Sequence, residues 1–307
     1  MKPPRLPRSG QISPAWQTWV WQGLSVTLPP DWEMLQFTRN PEVGRCVFGD
    51  RYQYRFELDW KRMQAPPDME RMVSDYRAKL SEDGLSDVRP LGHSPWLGTS
   101  GQDGERDICR YGMYSAESRQ ILEAVFLWPP GEKSKPSFEG RVLDMLRVLT
   151  RSEDGRQRWQ AFGMTWHVPA TTVFASCAVE PAQAEAVFAL RNNRGAATFA
   201  RRGMVSEWLT TSVSEWLVQT IPAGYAQESV THAGQSGHDV CSLVARRERS
   251  VLKDWLYGRR QYEACAWICP GDRRLYCVSR WMHQRRGQQA AGLDVALSCC
   301  SGLEVLL

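Results

Sequence analysis

Five histidines and nine cysteines are the side chains of this 307-residue chain from which a metal or nucleophilic site would be built. His232 and His238 flank Ala-Gly-Gln-Ser-Gly and precede Asp239 and Cys241, so two imidazoles, a carboxylate and a thiolate can be drawn around one ion. A Gly-rich hairpin tip explains the same residues, and the matching stretch Gly101 to Asp107 has no histidine. No metal site is assigned. Cys265, Cys269 and Cys277 lack the close pairing of zinc knuckles, whose ligands lie about two residues apart. On strands Cys265 and Cys269 share a face, and packing as small apolar residues is the expected role of these thiols. Cys299-Cys300, near the chain end, is expected to be a reactive pair.

Enzyme motifs are missing. There is no Gly-Lys-Ser/Thr phosphate loop, no Gly-x-Gly-x-x-Gly after a strand, no Gly-x-Ser-x-Gly and no His-Glu-x-x-His. Glu123 and Glu263 each precede an alanine inside a strand pattern, which fits a scaffold role better than proton transfer. No catalytic residue and no cofactor is assigned. An enzyme with an unfamiliar site stays as the third alternative.

The net charge of +4 is carried by the second half, where seventeen Arg and Lys from Asp154 onward face thirteen Asp and Glu. Arg246, Arg247, Arg249, Arg259, Arg260, Arg273 and Arg274 fall at expected strand ends and turns. If those ends meet they form one basic rim able to contact phosphate, with Trp255, Tyr257 and Tyr262 as stacking surface. A nucleic-acid-associated protein is therefore the second function considered, beside a solvated, aggregation-resistant sheet edge. No apolar run reaches the roughly 18 residues of a membrane span. The basic, Pro-rich opening has no apolar stretch after it of the kind a secretory signal needs, so a cytoplasmic, bacterial-type protein with reduced thiols is expected.

The elements repeat. Gly23-Leu24-Ser25-Val26-Thr27-Leu28-Pro29 aligns with Gly163-Met164-Thr165-Trp166-His167-Val168-Pro169, Val47-Phe48 with Val187-Phe188, and Glu123-Ala124 with Glu263-Ala264. Gly101-Gln102-Asp103-Gly104 resembles Gly234-Gln235-Ser236-Gly237. The expected organisation is a flexible arm over 1–15, one repeat over 16–150 and a second over 157–301, packed as a pseudo-dimer. In the first repeat Leu24, Val26 and Leu28 alternate as a strand, Pro66-Pro67-Asp68 opens a helix carrying Met69, Met72, Val73, Tyr76 and Leu80, and a hairpin precedes a closing helix from Ser137 with Leu146 and Leu149 inward. The second repeat is expected to carry one helix with Val205, Trp208, Leu209, Val213, Trp216 and Leu217 on a stripe, and a last helix from Gln288 to Cys300. An antiparallel sheet flanked by helices, an α+β domain used twice, is the fold these elements imply.

Leu28-Pro29-Pro30-Asp31-Trp32 closing the first strand, followed by a strand pair, a helix, a hairpin and a final helix after a Pro-Gly turn, resembles the PsbP/Mog-like superfamily, including DcrB-like proteins. The resemblance implies a helix-flanked sheet serving as a non-enzymatic binding scaffold. Fourteen tryptophans add to this. Trp16, Trp19 and Trp21 in the opening strand, with Trp208 and Trp216 on the helix stripe, are the candidate contacts of a protein partner, a secreted or effector protein among them. An adaptor or chaperone working by protein binding is the function expected.

Overall fold

A computed structural model describes residues 15–149, 155–191, 194–247, 259–284, 293–300 and 302–307. The flexible arm falls almost wholly outside the described residues, as do Arg249, Trp255 and Tyr257. Strands take 58% of the described residues and helices 13%, and the described strands form three seven-stranded antiparallel sheets. The helix-flanked α+β sandwich is therefore corrected: the chain is mostly β. The reason is local. Segments such as Glu33–Phe37 and Ser86–His93 are strands with largely exposed side chains, so they lack the period-two apolar signal that marks a half-buried strand.

The chain forms two units, Met1–Trp19 with Leu24–Val148 and Val20–Gly23 with Leu149–Leu307. The elements of the first part are β1 (Gln17–Trp21), β2 (Leu24–Leu28), β3 (Glu33–Phe37), β4 (Val43–Gly49), β5 (Tyr54–Arg62), α1 (Met69–Glu82), β6 (Ser86–His93), β7 (Trp96–Asp103), β8 (Arg106–Ser115), β9 (Gln120–Trp128), α2 (Pro136–Met145) and β10 (Arg147–Val148). The sheet of the first unit runs β3-β4-β5-β9-β8-β7-β6. Phe56, Leu58 and Trp60 of β5 oppose Phe126, Ala124 and Leu122 of β9, all buried. This alternation puts one face of the central strands into the core.

Asp68 caps α1 by accepting from the Arg71 N–H at 3.0 Å. No α1 residue is buried, so its apolar stripe covers the sheet only in part. In α2 Glu139 is fully buried. Its carboxylate accepts from the Tyr111 hydroxyl and the Trp128 indole N–H, both at 2.7 Å, and from the Lys135 N–H at 3.2 Å. A buried charge is tolerated when donors replace water in this way. Leu149, expected inward, is 37% exposed, because the chain leaves α2 as the short strand β10.

The second part contributes β11 (Arg156–Ala161), β12 (Met164–Pro169), β13 (Thr172–Glu180), β14 (Gln183–Leu190), β15 (Gly195–Arg202), α3 (Val205–Trp208), α4 (Val213–Gln219), β16 (Tyr225–Gln235), β17 (His238–Arg247), β18 (Arg259–Ile268), β19 (Leu275–Gln284), β20 (Ala296–Cys300) and β21 (Leu303–Leu306). Its large sheet runs β13-β14-β15-β19-β18-β17-β16, the order of the first unit with every strand number advanced by ten. That order equates β9 with β19. The sequence match of Glu123 on β9 with Glu263 on β18 therefore joins strands at different places in the sheet. Within the second unit Trp159 of β11 also faces Trp166 of β12, and β12 continues to β20 and β21.

Two expected helices are corrected. The single stripe from Val205 to Leu217 is broken into α3 and α4, because Ser212 forms a capping box with Glu215 that starts a new helix. The C-terminal helix is contradicted where it is described: Ala296–Cys300 is β20, paired with β21 across Gly302. Ser298, Cys299 and Cys300 are poor helix formers, while Leu303 and Val305 alternate inward as a strand requires.

Candidate partner-binding surface

Burial divides the tryptophans expected to meet a partner. Trp19 and Trp21 are 4% and 3% exposed. Trp19 packs edge-on against Phe48, and Trp21 meets Trp159 and Phe174 at 5.2 and 5.1 Å between ring centroids. Both are core residues, a correction: Val20 between them is 1% exposed as well, so this end of β1 is buried on both faces. Trp16 is half-buried beside Phe138, with the Arg141 guanidinium 4.0 Å from its ring centre. Trp208 and Trp216, also half-buried, approach to 6.0 Å, and the Arg202 guanidinium lies 5.9 and 5.7 Å from their ring centres. These three keep an accessible edge.

The surface missed in the sequence lies on the first unit. A cleft of about 700 Å³ is lined by Leu35, Tyr52, Tyr54, Arg51, Arg106 and Trp128 among others. Tyr52 is 83% exposed, and Tyr54 and Leu35 each 48%. Exposed aromatics beside an apolar wall and two arginines are the composition of a protein contact. Asp50 fixes the hairpin tip that carries Tyr52. Its carboxylate accepts from the Tyr52 and Gln53 N–H groups at 2.7 and 3.0 Å and pairs with Arg55. Burial pushes its carboxyl up, but these donors and the guanidinium outweigh that and leave it below its ordinary value. The Asx-type tip explains the position of Tyr52, and Asp50-x-Tyr52 between two strand patterns was its legible signal.

Among the described residues the basic rim does not assemble. Arg246 and Arg260 lie near one end of the β17–β18 pair, where Arg246 faces Gln261, while Arg273 and Arg274 sit in the turn beyond the far end of β18. Ten residues of extended strand separate the two groups by roughly 30 Å. Arg246 pairs with Glu228 at 2.7 Å, Arg274 with Asp272 at 3.8 Å, and Arg260 donates to the His283 ring at 2.7 Å. Arg247 is half-exposed and Arg273 exposed at opposite ends of the hairpins. Of Arg259 the backbone alone is described.

The histidine-rich loop also resolves differently. His232 meets Asp239 at 3.6 Å, and Cys241 is buried in the core. His238 turns away from both, toward Cys269, Cys299 and Cys300, and the four ligating atoms lie within 4.8 Å of one another. Burial pushes the Cys299 thiol up to about 12. The N–H of Gly302 facing Cys300 holds that thiol below its ordinary value. Sequence spacing could not show this group, because Cys269 and Cys299 lie 31 and 61 residues beyond His238 and β20 belongs to a different sheet from β17 and β18.

No family model and no curated protein matches the chain. Among solved structures it is similar to the apo immunity protein TplEi of the T6SS from Pseudomonas aeruginosa, at 7% identity over 89% of each chain with a TM-score of 0.36. A chain of the Tle4–Tli4 complex is similar at 8% identity over 90% of this chain and 89% of the other, again with a TM-score of 0.36. TplEi complexed with the "L" peptide is similar at 8% identity over 92% of each chain, with a TM-score of 0.35. Among the described residues no helix is long and apolar enough to cross a membrane.

Proposed function

We propose that this chain is a non-enzymatic protein-binding module that holds a partner at the Tyr52 cleft of its first unit. The observation that carries the proposal is the exposure of Tyr52, Tyr54 and Leu35 together at a mouth flanked by Arg51 and Arg106. Tyrosine supplies a large rigid contact with few torsions to immobilise, and guanidinium groups at the rim favour an acidic residue on the partner. A secreted or effector-type protein is the partner class named from the sequence. The cytoplasmic location belongs to the same proposal, supported by nine cysteines that are all free.

The test places a photo-activated cross-linker at Tyr52 and, as a control, at Glu82 on α1. Native partner is then recovered at low and high salt. A stoichiometric cross-link from position 52, resistant to salt and abolished in Y52A/Y54A, supports the cleft. Equal cross-linking from both positions, or binding that survives the double substitution, refutes it.

A further inference from the structure

We propose that His238, Cys269, Cys299 and Cys300 form a zinc site of one imidazole and three thiolates, closing the turn ends of the second unit onto β20. The argument begins with geometry. A tetrahedral zinc ion with Zn–S of about 2.3 Å and Zn–N of about 2.0 Å sets its thiolates about 3.8 Å apart and its imidazole about 3.5 Å from each. Cys299 Sγ and Cys300 Sγ are 3.7 Å apart, and His238 Nε2 is 3.4 and 3.8 Å from them. These are the edges of that tetrahedron, and Cys269 Sγ completes the group inside the same 4.8 Å sphere.

Each ligand is held by the fold. Ser236 and Gly237, with φ of 48° and 75°, make the tight turn that delivers His238 at the first position of β17. Its Nδ1 donates to the Ser236 carbonyl at 2.9 Å, which leaves the Nε2 lone pair facing the thiols. That carbonyl is the usual orienting partner of a metal-bound imidazole. Cys269 begins the β18–β19 turn, where its N–H donates to Arg274 O at 2.9 Å and its carbonyl accepts from Arg273 N at 2.8 Å.

Consecutive strand residues normally face opposite ways, yet Cys299 and Cys300 both reach the cluster. The register of β20 on β21 slips between Ser298 and Cys300, so Cys299 is the extra residue of a bulge. A bulge re-aims a side chain in this way. The Trp267 indole N–H donates to Cys299 Sγ at 3.2 Å, and Gly302 and Leu303 present N–H groups to Cys300. Donors around the sulfurs stabilise thiolate ligands.

Two other occupants fit less well. A disulfide between Cys299 and Cys300 would join adjacent residues whose Cα atoms are about 3.8 Å apart, shorter than the roughly 4.4–6.8 Å usual for a bridge. A cluster of inert buried thiols would not need an imidazole 5% exposed with its free nitrogen aimed at sulfur. With four protein ligands the site is closed and structural, and binding releases the thiol protons to solvent.

The test uses the full chain, purified under reducing conditions. Metal content is measured by mass spectrometry and the absorption spectrum after loading with Co²⁺. One zinc per chain is expected, with tetrahedral cobalt bands and thiolate-to-cobalt charge transfer. H238Q and C300A should each lower zinc affinity by roughly 10-fold or more, while C277S, outside the cluster, keeps it. C300A also guards against misfolding, since Cys300 is exposed. Absence of zinc and of the cobalt spectrum in the wild-type chain overturns the proposal. So does zinc retained in H238Q/C300A, or a Cys299–Cys300 disulfide mapped in the freshly reduced protein.

Discussion

Replacing Glu139 by alanine should be among the most damaging single changes in the first unit. The carboxylate is fully buried and serves three donors: the Tyr111 hydroxyl, the Trp128 indole N–H and the Lys135 backbone N–H. Its removal leaves the first two in the core without acceptors, at about 1–3 kcal/mol each. The space it vacates adds to this, so E139A should cost about 3–5 kcal/mol. Y111F removes one donor cleanly and should cost about 1 kcal/mol. Because E139A already strands the Tyr111 hydroxyl, E139A/Y111F should be less destabilised than the sum of the two single variants. Urea unfolding followed by tryptophan fluorescence reads this directly, since Trp128 is one of the donors. An E139A loss within about 0.5 kcal/mol of wild type, the range of an ordinary surface change, would refute the account, as would strict additivity of the pair.

Arg280 holds Glu263 through Nε at 2.8 Å and Nη2 at 2.7 Å and donates to Leu293 O at 2.7 Å. R280M should cost about 3 kcal/mol by taking the cation from a mostly buried carboxylate to which Gln261 Nε2 still donates at 2.6 Å, and R280M/E263Q should recover part of it in the same unfolding assay. Burial pushes the Asp107 carboxyl up, but donation from Gln102 Nε2 at 2.8 Å and Ser134 N at 3.1 Å leaves it below its ordinary value. A lowered folded value means that its stabilisation is full above the ordinary carboxylate range and is lost as pH falls from there through the lowered folded value. Unfolding measured from neutral to acid pH should therefore be less pH-dependent in D107N than in wild type. Gly23 and Gly163 occupy φ of 78° and 71°, and an alanine at either should cost about 1 kcal/mol. G163A should cost more in thermal melts, since its Cβ would meet the Arg201 guanidinium.

Some of this protein was legible one residue after another. The alternation of Leu24, Val26 and Leu28, the Asp68 cap of α1 and the Pro-Gly breaks are set by contacts a few residues apart, and the structure shows β2, α1 and the turns after β9 and β18 at those places. Strand propensity failed where strands are edges: β3 and β6 bury too little side chain to leave a periodic pattern, so the chain read as richer in helix than it is. The sequence of β20 reads as a helix because its short apolar run suits either element until β12 and β21 pair with it.

Tertiary structure decided which side chains are available. Trp19 and Trp21 lie on β1 a few residues after the half-buried Trp16, and packing against Phe48 and Trp159 makes them core. The arginines at strand ends were placed there by turn chemistry, but which ends coincide depends on strand direction, and the ten residues of β18 keep Arg260 from Arg274. The His238, Cys269, Cys299 and Cys300 group has the same origin. No local spacing encodes it; a tight turn, a turn beyond a strand end and a one-residue bulge bring it together, because β20 of one sheet packs against the turn ends of another and so joins residues that the sequence holds far apart.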